Sequence, residues 1–344
     1  MDTQKPNPSA LPAPQRVGIL VGVPALLAEF GVEPDQVLIG LPVGPEVFAD
    51  PEAMIPFSLA SRILESCARR SRCAHFGLLL GARYDHRMLG APAAQMAQAR
   101  NLGEALGSFV ALQRMNSQGA VAYLHPWGDV VILGYGIYDQ RAVARDQIYA
   151  LVTAIGHNIL RRLTQGAVSA SEVLFSTEPP RDLKPYAAFF EAPMRFGQLQ
   201  TGLVLPRSAL SAPVYSSAVS GRAEPAHVRN DPAAAGDGTW SERVKHAIRP
   251  MLLRGAVTSV TTSAQFGVDP RTLRRRLARE GASFQSLVDE VRFAAAAELL
   301  ELTDLPIGDI AEALAYAAPG PFISAFRRWS GSTPSAWRHG ARAA

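Results

Sequence analysis

The chain has 344 residues, 48% hydrophobic and 19% charged, with 34 Lys and Arg against 30 Asp and Glu. That length exceeds one ordinary core and predicts two domains, and the composition is that of a soluble globular protein. No uninterrupted apolar stretch approaches the ~20 residues needed to cross a membrane, which excludes a membrane-spanning helix.

In chain order, Met1–Gln15 is rich in Pro and polar residues. It lacks the basic-then-apolar order of a secretory signal, so residues 1–15 are expected to be a disordered cytoplasmic tail. Helices are predicted at Val17–Phe30, at Pro56–Arg70 with Ile63, Leu64 and Cys67 on one face, and at Gly103–Met115. Cys67 and Cys73 are six residues apart and so fall on different faces of a helix, where they cannot bridge; two free thiols suit a reducing cytosol. Strands are predicted at Ala120–Leu124 and Val130–Ile137, with Pro126-Trp127-Gly128-Asp129 between them as a hairpin turn. Arg145–Leu163 carries Ile148, Leu151, Val152, Ile155, Ile159 and Leu163 at helical spacing, and short strands follow at Glu172–Phe175 and Gly202–Leu205. Residues 16–213 therefore read as one α+β domain.

Residues 214–239 have no hydrophobic period and are full of Gly, Pro, Ser and Asp, the composition of a flexible linker. Beyond it, residues 240–340 read as helices only. The charge changes at the same boundary: residues 1–239 hold 20 basic and 20 acidic side chains, and residues 240–344 hold 14 and 10. All of the net charge of +4 thus lies in the C-terminal third, a weak footprint for a polyanion.

Within that third, Thr261–Phe266 forms a short helix, Gly267 supplies a turn, Asp269 is an N-cap, and Pro270 opens a helix running to Arg279. Leu273 and Leu277 face a core, leaving Arg271, Arg274, Arg275 and Arg279 on the outer side. Helix, turn and basic helix make a helix-turn-helix whose second helix fits a major groove. A second copy follows: Pro306–Leu314, a turn at Ala315–Ala318, then a helix opened by Pro319-Gly320-Pro321 in which Phe322, Phe326 and Trp329 form the inner stripe. Thr333 caps a last helix at Pro334. Between the copies, Phe284–Leu302 is a rod about 28 Å long, against about 34 Å between successive major grooves on one side of B-DNA.

Pro270 to Gly281, Phe284, Val291-Arg292, Ile310-Ala311, Phe322, Ala325 to Gly331, Thr333-Pro334 and Trp337-Arg338 closely resemble the DNA-binding domain of the AraC/XylS family of bacterial transcription regulators. The N-terminal domain is similar to the family's arabinose-binding-like module. The matching stretches are Ile55 to Phe57, His75 to Gly81, Leu89-Gly90, Gly103 to Leu106 and Tyr186 to Gly197. The resemblance implies a fold of an α+β sensor and dimerisation domain followed by an all-α domain of two helix-turn-helix units joined by a long helix. It implies double-stranded DNA and RNA polymerase as partners, a small-molecule effector of unknown identity, a homodimer, and a cytoplasmic activator of transcription.

Carried over by position, the first recognition helix offers Arg271, Arg274 and Arg275. Arginine can grip guanine O6 and N7 with two hydrogen bonds. The second offers Gly320, Ile323 and Ser324 outward, where Ile323 can touch a thymine methyl, while Arg327, Arg328 and Arg338 are expected to clamp phosphates. This predicts an asymmetric reader, the first unit specifying sequence and the second mainly anchoring. The chain departs from the family at Ala315, where glycine is usual, at Thr262 and Ser263, and at Pro319 and Pro321 around Gly320. Tyr123, Trp127 and Tyr135 on or beside the hairpin are the candidates to line an effector pocket. His75, His86, His125, His157, His227, His246 and His339 form no metal-ligand spacing, and no residues point to a cofactor or an enzyme. Two other readings compete: an N-terminal domain that only dimerises and binds no small ligand, and a DNA-repair adaptor using Cys67 or Cys73 as an alkyl acceptor.

Overall fold

The structure, a computed structural model, describes residues 13–139, 141–198, 200–215, 239–252, 257–303 and 305–343. The chain divides into two compact units, Met1–Pro232 and Ala233–Ala344.

The first unit begins with β1 (Pro14–Arg16), a single 3-10 turn at Val17–Leu20, α1 (Val23–Glu29), α2 (Pro34–Leu38) and β2 (Met54–Pro56), with β1 antiparallel to β2. Two expectations are corrected here. Pro14 and Gln15, placed in the tail from sequence, are a buried strand, because the backbone of Arg16 donates to Asn116 (2.7 Å) and that of Gln118 donates to Pro14 (2.9 Å). The single helix expected over Val17–Phe30 is broken, because Pro24 lacks an N–H and fits only the first turn; α1 therefore starts at Val23.

Then come α3 (Phe57–Arg70), α4 (Phe76–Arg83), α5 (Ala91–Met96) and α6 (Leu102–Leu112). The hairpin β3 (Ala120–Trp127) and β4 (Val130–Ile137) is longer than its sequence outline. Pro126 and Trp127 pair with Val131 and Val130, leaving Gly128-Asp129 as a two-residue turn with Gly128 at φ +54°. The rest of the unit is α7 (Arg145–Leu163), β5 (Glu172–Leu174), α8 (Lys184–Phe190), β6 (Met194–Arg195) and β7 (Thr201–Pro206). The five strands order β3-β4-β7-β5-β6, antiparallel except for β5 with β6.

α7 crosses this sheet on β4 and β7 and carries α4 on its other side. Its bounds match the hydrophobic period read from sequence, because both of its sides are covered and thirteen of its residues are buried. α4, by contrast, has no clear period. It docks through Gly77 and Gly81, where any side chain would collide with the carbonyl oxygens of Gln147 and Leu151. Two glycines one turn apart thus let the two helix backbones touch. The expected linker lies outside the described residues apart from Val214, Tyr215 and Thr239, and Tyr215 still belongs to the first unit, its N–H donating to Leu163 (2.8 Å).

The second unit is helical throughout: α9 (Trp240–Leu252), α10 (Ser259–Gln265), α11 (Pro270–Arg279), α12 (Phe284–Leu302), α13 (Ile307–Ala313), α14 (Pro319–Ser330) and α15 (Pro334–Ala343). Val244, Ile248 and Leu252 of α9 pack with Leu273 and Leu277 of α11 and with Leu287, Val288 and Val291 at the start of α12. The far half of α12 contributes Phe293 to an aromatic core with Phe326, Trp329 and Trp337, and Phe322 joins Phe326 to Tyr316. α12 therefore runs through two small cores, one under each helix pair.

Candidate nucleic-acid interface

The first helix pair is set by its caps. Thr258 and Thr261 form a reciprocal capping box at the start of α10 (both bonds 3.0 Å). After α10, Gly267 donates to Ala264 (3.1 Å) and Val268 to Ser263 (3.2 Å), with Gly267 at φ +61°, the double bond of a Schellman turn. Asp269 then caps α11 twice, accepting from the Thr272 N–H (2.9 Å) and hydroxyl (2.8 Å), which holds its carboxyl below the ordinary range. Thr262 and Ser263, where the chain departs from the family, are both buried, with Thr262 Oγ1 on the Met251 sulfur and Ser263 Oγ donating to the Val260 carbonyl (3.0 Å).

With Leu273 and Leu277 buried, Arg271, Arg274, Arg275 and Arg279 form one exposed face of α11, and none of them has an ion pair among the described residues. Arg276 turns the other way, over the Trp240 ring (4.2 Å), with Arg243 on the same indole at 4.7 Å. Glu280, at the C-cap of α11, accepts from the N–H groups of Trp240 and Ser241 (2.8 Å each). α9 is thereby fastened to the end of α11. The sequence reading missed this clasp, although a tryptophan followed forty residues on by a carboxylate carries no local signal.

The second pair repeats the turn with a different residue. Ala315 donates to Glu312 and Tyr316 to Ala311 (2.9 Å each), with Ala315 at φ +61°. Phe322, Ala325 and Phe326 are buried; Trp329, expected beside them, is only half-buried. Gly320, Ile323 (37% exposed), Ser324 and Arg327 face outward. Arg328 is exposed but bonded to Asp289 of α12 (3.0 Å). Arg338 does not project as a phosphate clamp. It is half-buried on α15 and donates to the Leu305 carbonyl (2.6 Å), tying α15 to the segment after α12. The outer tip of α14 is thus apolar where that of α11 is basic.

The first unit holds a partly open cavity of about 80 Å³ between the sheet, α6, α7 and β1, walled mainly by apolar side chains including Phe109, Leu133, Val152, Ile155 and Leu203. Of the three aromatics proposed from sequence only Tyr135 lines it. The register explains why: Tyr135 pairs with Ala122, so Tyr123 and Trp127 stand on the opposite face of the sheet. Tyr123 is buried there with its hydroxyl on Gln200 (2.9 Å), and Trp127 is half in solvent. Burial pushes the Tyr135 hydroxyl above the ordinary tyrosine range. The cysteines are buried apart from any site, burial pushing Cys67 up to about 12 and raising Cys73 as well, which leaves neither suited to act as a thiolate acceptor. Among the described residues no group of three metal-binding side chains occurs, and no helix is long and apolar enough to cross a membrane.

Residues 31–214 match the family described as the arabinose-binding domain of AraC transcription regulators, N-terminal, and residues 262–340 match a helix-turn-helix domain. The chain is similar to the HTH-type transcriptional regulator VirS of Mycobacterium tuberculosis, 27% identical over 93% of this chain and 94% of that one. It is also similar to the ornithine utilization regulator of Pseudomonas aeruginosa, 26% identical over 91% and 93%. Among solved structures, the transcriptional regulator CdpR from Pseudomonas aeruginosa aligns over 91% of this chain and 98% of its own, with 22% identity and a TM-score of 0.39. An N-terminal α+β domain matched over more than half the chain, followed by a helical unit with a capped basic helix, makes this protein a member of the AraC family of DNA-binding transcription regulators.

Proposed function

We propose that the protein is an effector-responsive activator that sets α11 and α14 into successive major grooves on one side of a duplex. The observation that carries this is the unpaired basic face of α11, held rigid by the Asp269 cap in front and the Glu280 clasp behind. Arg271, Arg274 and Arg275 are assigned to bases and neighbouring phosphates. Gly320, Ile323 and Ser324 are assigned to the second groove, Arg327 to phosphate, and Arg328 to phosphate after exchange from Asp289. Arg338 leaves the set. The length of α12, 19 residues or about 28 Å, supports spacing the two helices by one turn of DNA.

Residues 16–213 are assigned to effector sensing and to dimerisation in a cytoplasmic protein, residues 214–239 to a linker, and RNA polymerase to the role of partner on DNA. An effector acts by favouring one of two states of the first unit, and its leverage equals its difference in affinity between them. The test is footprinting of the full chain on DNA flanking its own gene at two salt concentrations, beside Arg274→Ala. The expected result is protection over about two helical turns per protomer, weakened by salt and less sequence-selective in the variant. Absence of binding on any DNA at any salt overturns the assignment.

A further inference from the structure

The cavity in the first unit has more chemistry than its volume. Three of its polar lining residues are fully used by the fold. Gln113 donates to Ala120 (3.1 Å) and accepts from the Ala122 N–H (3.2 Å). Asn116 donates to the Leu89 carbonyl (3.2 Å) and accepts from Arg16 (3.1 Å), and Thr153 donates to Tyr149 (2.6 Å). Arg16, which reaches Asn116, is itself paired with Glu52. What remain are Gln15 and, beside the Tyr135 hydroxyl, the Ser117 hydroxyl, which has no partner that meets hydrogen-bond geometry; Gln15 is the acceptor among them that carries no proton of its own. It is 1% exposed, its amide nitrogen donates to the Arg16 carbonyl (2.9 Å), and its Oε1 has no hydrogen-bond partner. Gln15 and Ser117 are bridge partners, and the Ser117 hydroxyl lies beside that of Tyr135, so these groups share one end of the cavity.

A buried acceptor without a donor is uncommon in folded proteins and calls for an explanation; this one stands on the wall of a cavity. We infer that this cavity binds a neutral, compact, mainly apolar molecule with one hydrogen-bond donor, of the short aliphatic alcohol class, its hydroxyl donating to Gln15 Oε1. The mainly apolar walls disfavour a polar body, and none of the described lining residues carries a charge to match an ion. At 80 Å³ the space is about half of the ~150 Å³ that accepts benzene, which corresponds to about three or four heavy atoms. A pentose, the ligand named in the family's description, has ten heavy atoms and several hydroxyls to bring to a mainly apolar wall. Gln15 lies in β1, so a ligand held there also tethers the first strand of the domain. The inference rests on reading the first unit as the sensing part, and names its ligand class.

The test is titration of the full chain with 2-propanol and with acetone, followed by NMR of the Ala122, Gly134 and Gly202 amides that line the cavity. The two probes have nearly the same shape, but only the alcohol donates a hydrogen bond. Saturable shifts with 2-propanol at least fivefold tighter than with acetone are expected, with L-arabinose silent. Gln15→Leu is expected to erase the preference, and Val152→Phe, which fills the cavity from α7, to abolish the shifts. Equal response to both probes, a response to arabinose instead, or no saturable shift, as for a cavity holding only water, overturns the inference; the wild-type comparison decides even if a variant fails to fold. A footprint measured with and without 2-propanol separates the two readings. Alcohol binding that leaves the footprint unchanged keeps the ligand class and overturns the sensing role, whereas a normal footprint with no alcohol binding overturns the ligand class alone.

Discussion

Ala315 holds the same left-handed backbone as Gly267, φ +61° in both, each closing the turn of its helix pair with the same two hydrogen bonds. In one turn the conformation costs little, since glycine has no Cβ. In the other, an alanine Cβ meets the following carbonyl, a strain of about 1–2 kcal/mol. Ala315→Gly relieves that strain and gives back part of it as unfolded-chain entropy, so a net gain of about 0.5–1 kcal/mol is expected. Calorimetry of the second unit's transition checks it; a loss of stability would mean that the turn relies on the methyl group.

Ile323 stands exposed on the outer face of α14 between Gly320 and Ser324, where only an apolar contact or a single hydroxyl can reach a base. On a site selected from random DNA, replacing thymine by uracil in the half contacted by α14 is expected to weaken binding at one position, and Ile323→Ala to remove the difference. Arg327→Ala is expected to weaken all sequences alike and lower the salt slope by about 1. Gel-shift titrations across salt and base analogues decide both.

Gly81 touches the backbone of α7 at Leu151. Gly81→Ala forces α4 away from α7, and overpacking of this kind costs about 1–3 kcal/mol. The first unit's thermal transition is expected to fall while the second unit's stays in place. Equal loss in both transitions would show that the units do not unfold separately.

His157 is buried against Phe189 and Phe190 (5.1 and 5.5 Å), with neither ring nitrogen hydrogen-bonded. Burial, and secondarily the charge of Arg161, lowers its pKa against an opposing pull from Glu191. The unfolded chain therefore takes up the proton first. Stability is full above the ordinary imidazole range, about 6.5, and declines as pH falls from there toward the lowered folded value. Urea unfolding between pH 5 and 8 should show this slope, flattened in His157→Leu; an unchanged slope would assign it to other groups.

Cys67 and Cys73 are both buried with raised pKa. Neither is expected to react with iodoacetamide in the folded protein, and both should react in urea. Rapid native modification of either, read by mass spectrometry, would revive the alkyl-acceptor reading.

Several features were legible in the sequence because their causes are local. α7 and α12 follow a hydrophobic period that any buried helix must show, and the Asp269-Pro270 start of α11 is a cap whose partners are three residues away. The strained turn at Ala315 was foreseeable for the same reason. Other features needed the tertiary structure, because they depend on partners far along the chain. The arginines assigned to DNA look alike in sequence, yet Arg328 is spent on Asp289 and Arg338 on Leu305, while Arg271, Arg274 and Arg275 have no ion pair among the described residues. Tyr123 and Tyr135 look equally ready to line a pocket until the hairpin register puts them on opposite faces. Gln15, hidden in a Pro-rich polar run, becomes a buried acceptor only when β1 closes against the segment at Ser117. The identity of each helix and strand was a matter of neighbouring residues, while the partner of each polar group was decided by where the folded chain brought distant ones together.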